Sequence, residues 1–237
     1  MIISNQGKSL HLRQTEPKDA PILLKAYEDE SFIRLYRSNN VTPKEEQLVE
    51  GLKKRTELHP TQLGYLEFMI EHKQHGAIGV AAFGDYAPYH KRAEFLIGLF
   101  EEQHQSRGYG AEATLLMLDL AFNVYNLNKI YTYVYDYNES SEDQTVRFGF
   151  KKEGYLESHH YSIRAKGFVD LYINGLTIEN FRKHKKLSRI SKLFIGRDIT
   201  QVPTPINLNE DISPVENEEE MKKRFLEGLR SMAVQES

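Results

Sequence analysis

Gln105-Ser106-Arg107-Gly108-Tyr109-Gly110-Ala111 follows an apolar run, Ala93 to Phe100 (AEFLIGLF), and leads into a stripe of apolar residues at Ala111, Leu115, Leu118, Phe122 and Tyr125. The run reads as a mostly apolar and hence central strand. The stripe, with steps of four, three, four and three, has helical periodicity. A strand, a glycine-bearing loop and a helix therefore meet at Gly108. Its two glycines let the backbone curl and come close to a ligand. A helix start leaves N–H groups without intrahelical acceptors and carries a partial positive charge. Together these make an anion cradle suited to a diphosphate, with the cation of Arg107 beside it. A plain structural turn uses the same residue types, so on these residues alone both readings stand. A Walker-type loop needs Gly-Lys-Ser/Thr, and a dinucleotide fingerprint needs GxGxxG near the first strand; neither is present.

Working outward, Ser9 to Gln14 alternates and predicts a first strand. Glu16-Pro17-Lys18-Asp19 opens a helix reaching about Arg37, and Thr42-Pro43-Lys44-Glu45 opens a second, reaching about Leu58, with Thr42 as N-cap and Glu45 closing a capping box. Gly64 to Glu71 and Gly76 to Phe83 predict a hairpin. Beyond the central helix, Lys129 to Tyr137 alternates: Ile130, Thr132 and Val134 face one side, and Tyr131, Tyr133, Tyr135 and Tyr137 face the other. That tyrosine stripe either lines a groove or simply packs. A helix over 140–147 and strands near 155–163 and 168–176 complete the unit. The order β-α-α-β-β-β-α-β-α-β-β alternates only in its second half, which predicts an α/β (α+β) mixed sheet rather than a doubly wound parallel one. Residues 1–183 form the expected domain and 184–237 an extension. The extension holds a basic run that begins at Arg182, an acidic stretch over 210–220, a linker or wrapping arm between them punctuated by Pro203, Pro205 and Pro214, and a short helix with an apolar face of Met221, Phe225, Leu229 and Met232. The basic run either pairs with the acidic stretch or is solvated. The last helix either docks a second copy, giving a homodimer, or packs on its own domain.

Hydrophobic residues make up 40% of the 237, enough for a sizeable core, and a net charge of −3 gives no electrostatic case for nucleic acid. There are no cysteines, which excludes disulfides, thiolate metal sites and a cysteinyl acyl-enzyme. No segment approaches the ~18 apolar residues of a membrane span, and no basic and then apolar leader opens the chain; a cytoplasmic location is expected. His159 and His160 are neighbours on a strand and so expected on opposite faces, which argues against a metal site.

Asn138 lies just past the tyrosine-rich strand, Ser141 follows three residues on, and Arg147-Phe148-Gly149-Phe150 comes next. With these in place the chain resembles the GNAT superfamily of acyl-CoA-dependent N-acyltransferases. Gln105 to Ala111 is similar to its Q/R-x-x-G-x-G/A pyrophosphate loop, and Asn138-x-x-Ser141 with Arg147 to Phe150 is similar to its next motif. Glu153-Gly154-Tyr155-Leu156 and Gly167-Phe168-Val169-Asp170 resemble the ribosomal-protein alanine and spermidine N-acetyltransferase branches. The resemblance spans residues 9 to 183. It implies acetyl-CoA as co-substrate, no metal, and a strand 94–100 that carries a bulge and splays from strand 129–137. It implies pantetheine paired with the backbone of Leu99, Phe100 and Glu101, one N–H there polarising the thioester. The amides of Gln105, Ser106, Arg107, Gly108, Tyr109, Gly110 and Ala111 would hold the diphosphate, and Asn138 and Ser141 would contact the pantetheine arm.

The implied reaction is acetyl transfer to a primary amine by direct attack in a ternary complex. An alkylammonium has a pKa near ~10, so a proton must be removed first. Glu94, eleven residues before Gln105, is the candidate base, placed similarly to the base of the histone-acetylating branch; the plainer reading is a salt bridge with Lys91 or Arg92. Glu67 is a second candidate. Many relatives carry Tyr seven residues after the Asn, where this chain has Thr145. Ser141 is therefore the candidate acid, unless water protonates the thiolate or it leaves unprotonated. A small amine or amino sugar is the favoured acceptor. The alternatives are a protein N-terminus or lysine, and a non-catalytic CoA-sensing or interaction module. Glu28-Asp29-Glu30 either attracts a cationic amine or is a solvated face.

Overall fold

Period-two alternation builds the sheet and decides which side each helix covers. In the hairpin of β3 (Leu66–His72) and β4 (Gly76–Ala87), Phe68, Ile70, Ala81 and Phe83 enter one apolar cluster while Met69 and Val80 enter another. The computed structural model describes residues 4–36, 42–105, 107–162 and 166–203. Its other strands are β1 (Asn5–Gln6), β2 (Leu10–Gln14), β5 (Arg92–Leu99), β6 (Lys129–Tyr135), β7 (Lys151–Ser162) and β8 (Gly167–Thr177). They form one sheet in the order β1-β2-β3-β4-β5-β6-β8-β7, with β5 and β6 the single parallel pair among the described residues. One face carries α1 (Ala20–Glu28), α2 (Glu30–Tyr36) and α3 (Glu45–Glu57), which bury Leu23, Phe32 and Leu52 against Met69 and Val80. A one-turn helix, α4 (Glu102–Gln105), precedes α5 (Tyr109–Asp119), which covers the other face with Leu115, Leu116 and Leu118 fully buried. Next along the chain is α6 (Glu139–Arg147), and after β8 come α7 (Ile178–Lys183) and α8 (Lys185–Ile195). The mixed sheet and its order agree with the sequence reading, apart from the added β1, α4, α7 and α8 and the division of the first helix into α1 and α2.

Several boundaries differ for local reasons. The helix expected from Glu16 to Arg37 breaks at Asp29, whose extended backbone (ψ 112°) ends α1. The Asp29 carboxylate accepts from the Ser31 amide (2.8 Å) and hydroxyl (2.6 Å), a side-chain alternative to continuing the helix. The second helix starts at Glu45, three residues after Thr42. Lys44 takes the cap position, with its N–H donating to Gln47 Oε1 at 3.2 Å, while the Thr42 hydroxyl reaches back to the Tyr27 carbonyl. The basic run is not a solvated face throughout. It forms α7 and α8, which bury Phe181, Leu187, Ser191 and Ile195, so the compact unit extends through Val202 rather than ending at Lys183. The acidic stretch 210–220 and the helix expected over 218–232 lie outside the described residues.

One buried ion pair locks the α1–α3 face to the sheet. The Arg13 guanidinium binds both oxygens of Asp19 (2.7 and 2.8 Å) and also Glu71 (2.8 Å). Burial by itself raises the Asp19 carboxyl, but the Arg13 hydrogen bonds and the Glu16 amide outweigh it and hold the group below its usual range. A depressed carboxylate contributes stability above its unfolded pKa and loses it as pH falls through the folded value. Asp19→Asn is therefore expected to destabilise the fold by about 3 kcal/mol at pH 7. Urea titrations at pH 7 and pH 3 should show the gap between wild type and variant closing in acid.

Candidate active site

β5 and β6 pair only at Arg92–Lys129, Ala93–Ile130 and Glu94–Tyr131, whereas β5 stays paired with β4 as far as Leu99. Past Glu94 the two parallel strands part and leave a slot. The expected bulge lies not in β5 but opposite it. Between the Gly84–Glu94 and Ala87–Arg92 pairs β4 carries one residue more than β5, and Asp85 takes a left-handed φ of 42°. The extra residue aims the Asp85 carboxylate at Arg92 and at the Tyr131 hydroxyl of β6 (2.5 Å). These bonds fasten the three strands where the slot begins. Tyr131 and Arg92 hold the Asp85 carboxyl below its usual range, so it stays anionic at neutral pH.

Backbone direction along β5 follows from one hydrogen bond. The Phe100 N–H donates to the Ile78 carbonyl at 2.9 Å, toward β4. Peptide groups alternate along a strand, so those of Ile97 and Leu99 point the other way, into the slot. Of the residues expected to meet pantetheine, Leu99 thus offers its backbone and Phe100 does not. The Glu101 carbonyl accepts from the His104 amide at 3.0 Å and caps α4. Ile97 escaped the sequence reading because nothing in composition reveals which way a peptide group faces.

Two hollows run along the slot. The larger, about 550 Å³, is lined by Asp85, Glu94, Tyr133 and Tyr135, among others. The smaller, about 270 Å³, includes Leu99, Phe100, Gly110 and Asn138. Tyr36, Ile97 and Ser141 line both and mark the junction. Two of the four stripe tyrosines, Tyr133 and Tyr135, therefore line a groove, while Tyr131 packs at the slot's apex and Tyr137 stacks on Tyr135. His159 and His160 both reach the larger hollow, contrary to strict alternation, because β7 changes register between Leu156 and His160 and Ser158 adopts a positive φ.

At the helix start, Gly108 has φ 81°, a conformation that disfavours any side chain. The Glu112 amide reaches the Gly108 carbonyl (3.0 Å), while the amides of Tyr109, Gly110 and Ala111 precede the first intrahelical bond. A Cβ on Gly110 would meet nothing closer than Leu99 Cδ1 at 3.9 Å, so the protein itself does not require glycine there. What the absent side chain leaves open is the slot. Arg107, Gly108 and Tyr109 line a separate hollow with Lys8 and Phe194, and the Tyr109 ring packs on His72 (4.7 Å). Ser106 and the Gln105 side chain lie outside the described residues.

Glu94 projects into the larger hollow beside Gly84, and its neighbour Arg92 pairs with Asp85. Among the described residues, no lysine or arginine lines that hollow. Burial, and then the charges of Glu94 and Asp85, raise the Tyr133 phenol. Glu67 lies in neither hollow. It is 2% exposed and receives hydrogen bonds from Thr15, Tyr27, Tyr65 and Arg55. Asn138 caps α6, accepting from the Ser141 amide at 3.2 Å, and this gives its spacing to Ser141 a structural reason as well. The Thr145 hydroxyl donates to the Ser141 carbonyl (2.7 Å), an internal helix bond.

Comparison with known proteins agrees with this architecture. The family model described as an acetyltransferase (GNAT) domain matches residues 9–151. An uncharacterized N-acetyltransferase, YoaA, of Bacillus subtilis is 27% identical over 64% of this chain and 85% of its own length. Spermidine N(1)-acetyltransferase of Vibrio cholerae is 32% identical over 38% of this chain, a stretch that spans about half (51%) of that relative. A solved structure of spermidine N-acetyltransferase from Vibrio cholerae, in complex with CoA and spermine, shares the fold with a TM-score of 0.64 at 22% identity, over 71% of this chain and 95% of that one. With the parted strands, the glycine-led helix and a family match over more than half its length, the chain belongs to the GNAT acetyltransferases.

Proposed function

We propose that this chain transfers the acetyl group of acetyl-CoA to a small cationic primary amine. The acidic cup carries the reading: Asp85 and Glu94 line the larger hollow among tyrosines and the two histidines His159 and His160, with no lysine or arginine among the described residues that line it. Such a cup attracts an ammonium and places it beside the junction. The relatives named for spermidine support an aliphatic amine as the substrate class.

In this reading the α5 amides take the diphosphate and the pantetheine arm follows the smaller hollow past Asn138. The thioester carbonyl comes to rest at the junction, where the Ile97 or Leu99 N–H stabilises the oxyanion. Glu94 removes the ammonium proton, directly or through water. The amine nitrogen then bonds to the carbonyl carbon, and the C–S bond breaks as the tetrahedral intermediate collapses. Ser141, at the junction, or water protonates the departing sulfur. Proximity of two bound substrates supplies much of the rate, so no covalent enzyme intermediate is needed. A cytoplasmic location belongs to the same proposal, and no helix among the described residues is long and apolar enough to cross a membrane.

Free-thiol release measured against a panel of diamines, polyamines, amino sugars and peptides tests the reading. Turnover on small diamines or polyamines at least about tenfold above peptides is expected, a difference of about 1.4 kcal/mol. Preference for peptides would transfer the assignment to protein acetylation, and no thiol release with any amine would point to a non-catalytic module.

A further inference from the structure

Glu67 lies outside both hollows, yet a chain of hydroxyls joins it to their junction. The Tyr65 hydroxyl donates to Glu67 Oε1 at 3.1 Å, and the Tyr36 hydroxyl lies 3.2 Å from that of Tyr65. A phenol has one hydrogen to give and lone pairs to accept with. Tyr65 gives its hydrogen to the carboxylate, so the Tyr36–Tyr65 bond is donated by Tyr36. The Tyr36 hydrogen is thereby turned toward the buried acid, and a ligand at the junction meets the oxygen as an acceptor. The carboxylate polarises the whole chain in that sense.

Tyr36 is well held. It is 7% exposed, its ring lies 5.1 Å from that of Phe32, and it packs so closely on Gly98 that a Cβ there would come within 3.0 Å of Tyr36 Cδ2. That places it on β5 beside Ile97, whose peptide groups face the slot. Glu67 is equally fixed: Thr15 (3.2 Å) and Arg55 (3.1 Å) bind Oε2, and Tyr27 (3.2 Å) joins Tyr65 on Oε1. With four donors on it, Glu67 serves as an anchor rather than a proton acceptor. The same anion argues against Tyr36 as the acid for the thiolate, since a phenolate there would point its charge toward a carboxylate.

We infer that Tyr36 is the hydrogen-bond acceptor that grips an N–H of the acceptor amine beside the thioester, with Tyr65 and Glu67 as positioning residues that fix its donor direction. This deepens the transferase reading and rests on it. It also gives Glu67, a candidate base in sequence, a different task.

The test is calorimetric binding of 1,4-diaminobutane to the CoA-loaded protein, for wild type, Tyr36→Phe, Tyr65→Phe and the double variant, with CoA affinity and thermal midpoint measured alongside. Tyr36→Phe is expected to weaken diamine binding about tenfold, the size of one good hydrogen bond, and to leave CoA affinity within about twofold. Tyr65→Phe is expected to weaken diamine binding by about threefold or more, because the Tyr36 hydroxyl then loses the Tyr65 oxygen that directs its hydrogen toward Glu67. Because Tyr65 acts through Tyr36, the double variant should bind no worse than Tyr36→Phe alone. Diamine affinity unchanged in Tyr36→Phe, additive losses in the double variant, or equal losses for CoA and diamine would each overturn the inference. Thiol release in the same samples reports separately on the transferase reading: wild type that binds diamine through Tyr36 but never releases thiol would refute catalysis alone.

Discussion

Replacing Glu94 with Gln should lower kcat by about 10²- to 10⁴-fold, the range for loss of a general base, while leaving CoA affinity unchanged. Glutamine keeps the shape of the side chain in the larger hollow beside Gly84 and removes its capacity to take a proton. The pH profile separates this role from a merely structural one. An amine with a pKa near ~10 deprotonates itself in alkaline solution, so the deficit of the variant should shrink steadily as pH rises toward that value. A variant within about threefold of wild type at neutral pH would leave Glu94 a structural or substrate-anchoring role.

Gly110→Asp should weaken CoA binding by about 10²- to 10³-fold without unfolding the protein. An aspartate in the first turn of a helix is favoured by the dipole, and a Cβ at this position meets only Leu99 Cδ1 at 3.9 Å. The carboxylate, however, enters the slot beside the amides proposed to hold the diphosphate. Two like charges about 4 Å apart repel by about 4 kcal/mol at an effective dielectric of 20. Gly110→Ala separates charge from bulk, and its thermal midpoint should equal or exceed that of wild type because alanine is the better helix former. Undiminished CoA affinity in Gly110→Asp would place the nucleotide elsewhere.

Features encoded within a few residues were readable from the sequence. The apolar strand ending at Leu99, the glycine turn at Gly108 and the stripe of α5 each announce themselves by local periodicity or residue type. The slot was expected only through resemblance, since parting strands leave no local signal. The fastening at its start, by Asp85 in the β4 bulge, depends on Tyr131, 46 positions away, and on a positive φ that an aspartate does not advertise. Tyr36 and Tyr65 stayed hidden for the same reason: each is an ordinary aromatic residue until the fold sets them 3.2 Å apart. In α8, a dense run of basic residues masked the helical spacing of Leu187, Ser191 and Ile195, all buried. At Asp29 the side chain competed with the helix that its neighbours favoured.

The most direct measurement is a crystal structure of the protein grown with coenzyme A. Diphosphate oxygens within hydrogen-bonding distance of the Tyr109–Ala111 amides, with the sulfur between Ile97 and Ser141, are the expected result. Coenzyme A bound anywhere else, or β5 and β6 paired continuously beyond Glu94 so that no gap admits it, would contradict the proposed chemistry at its root.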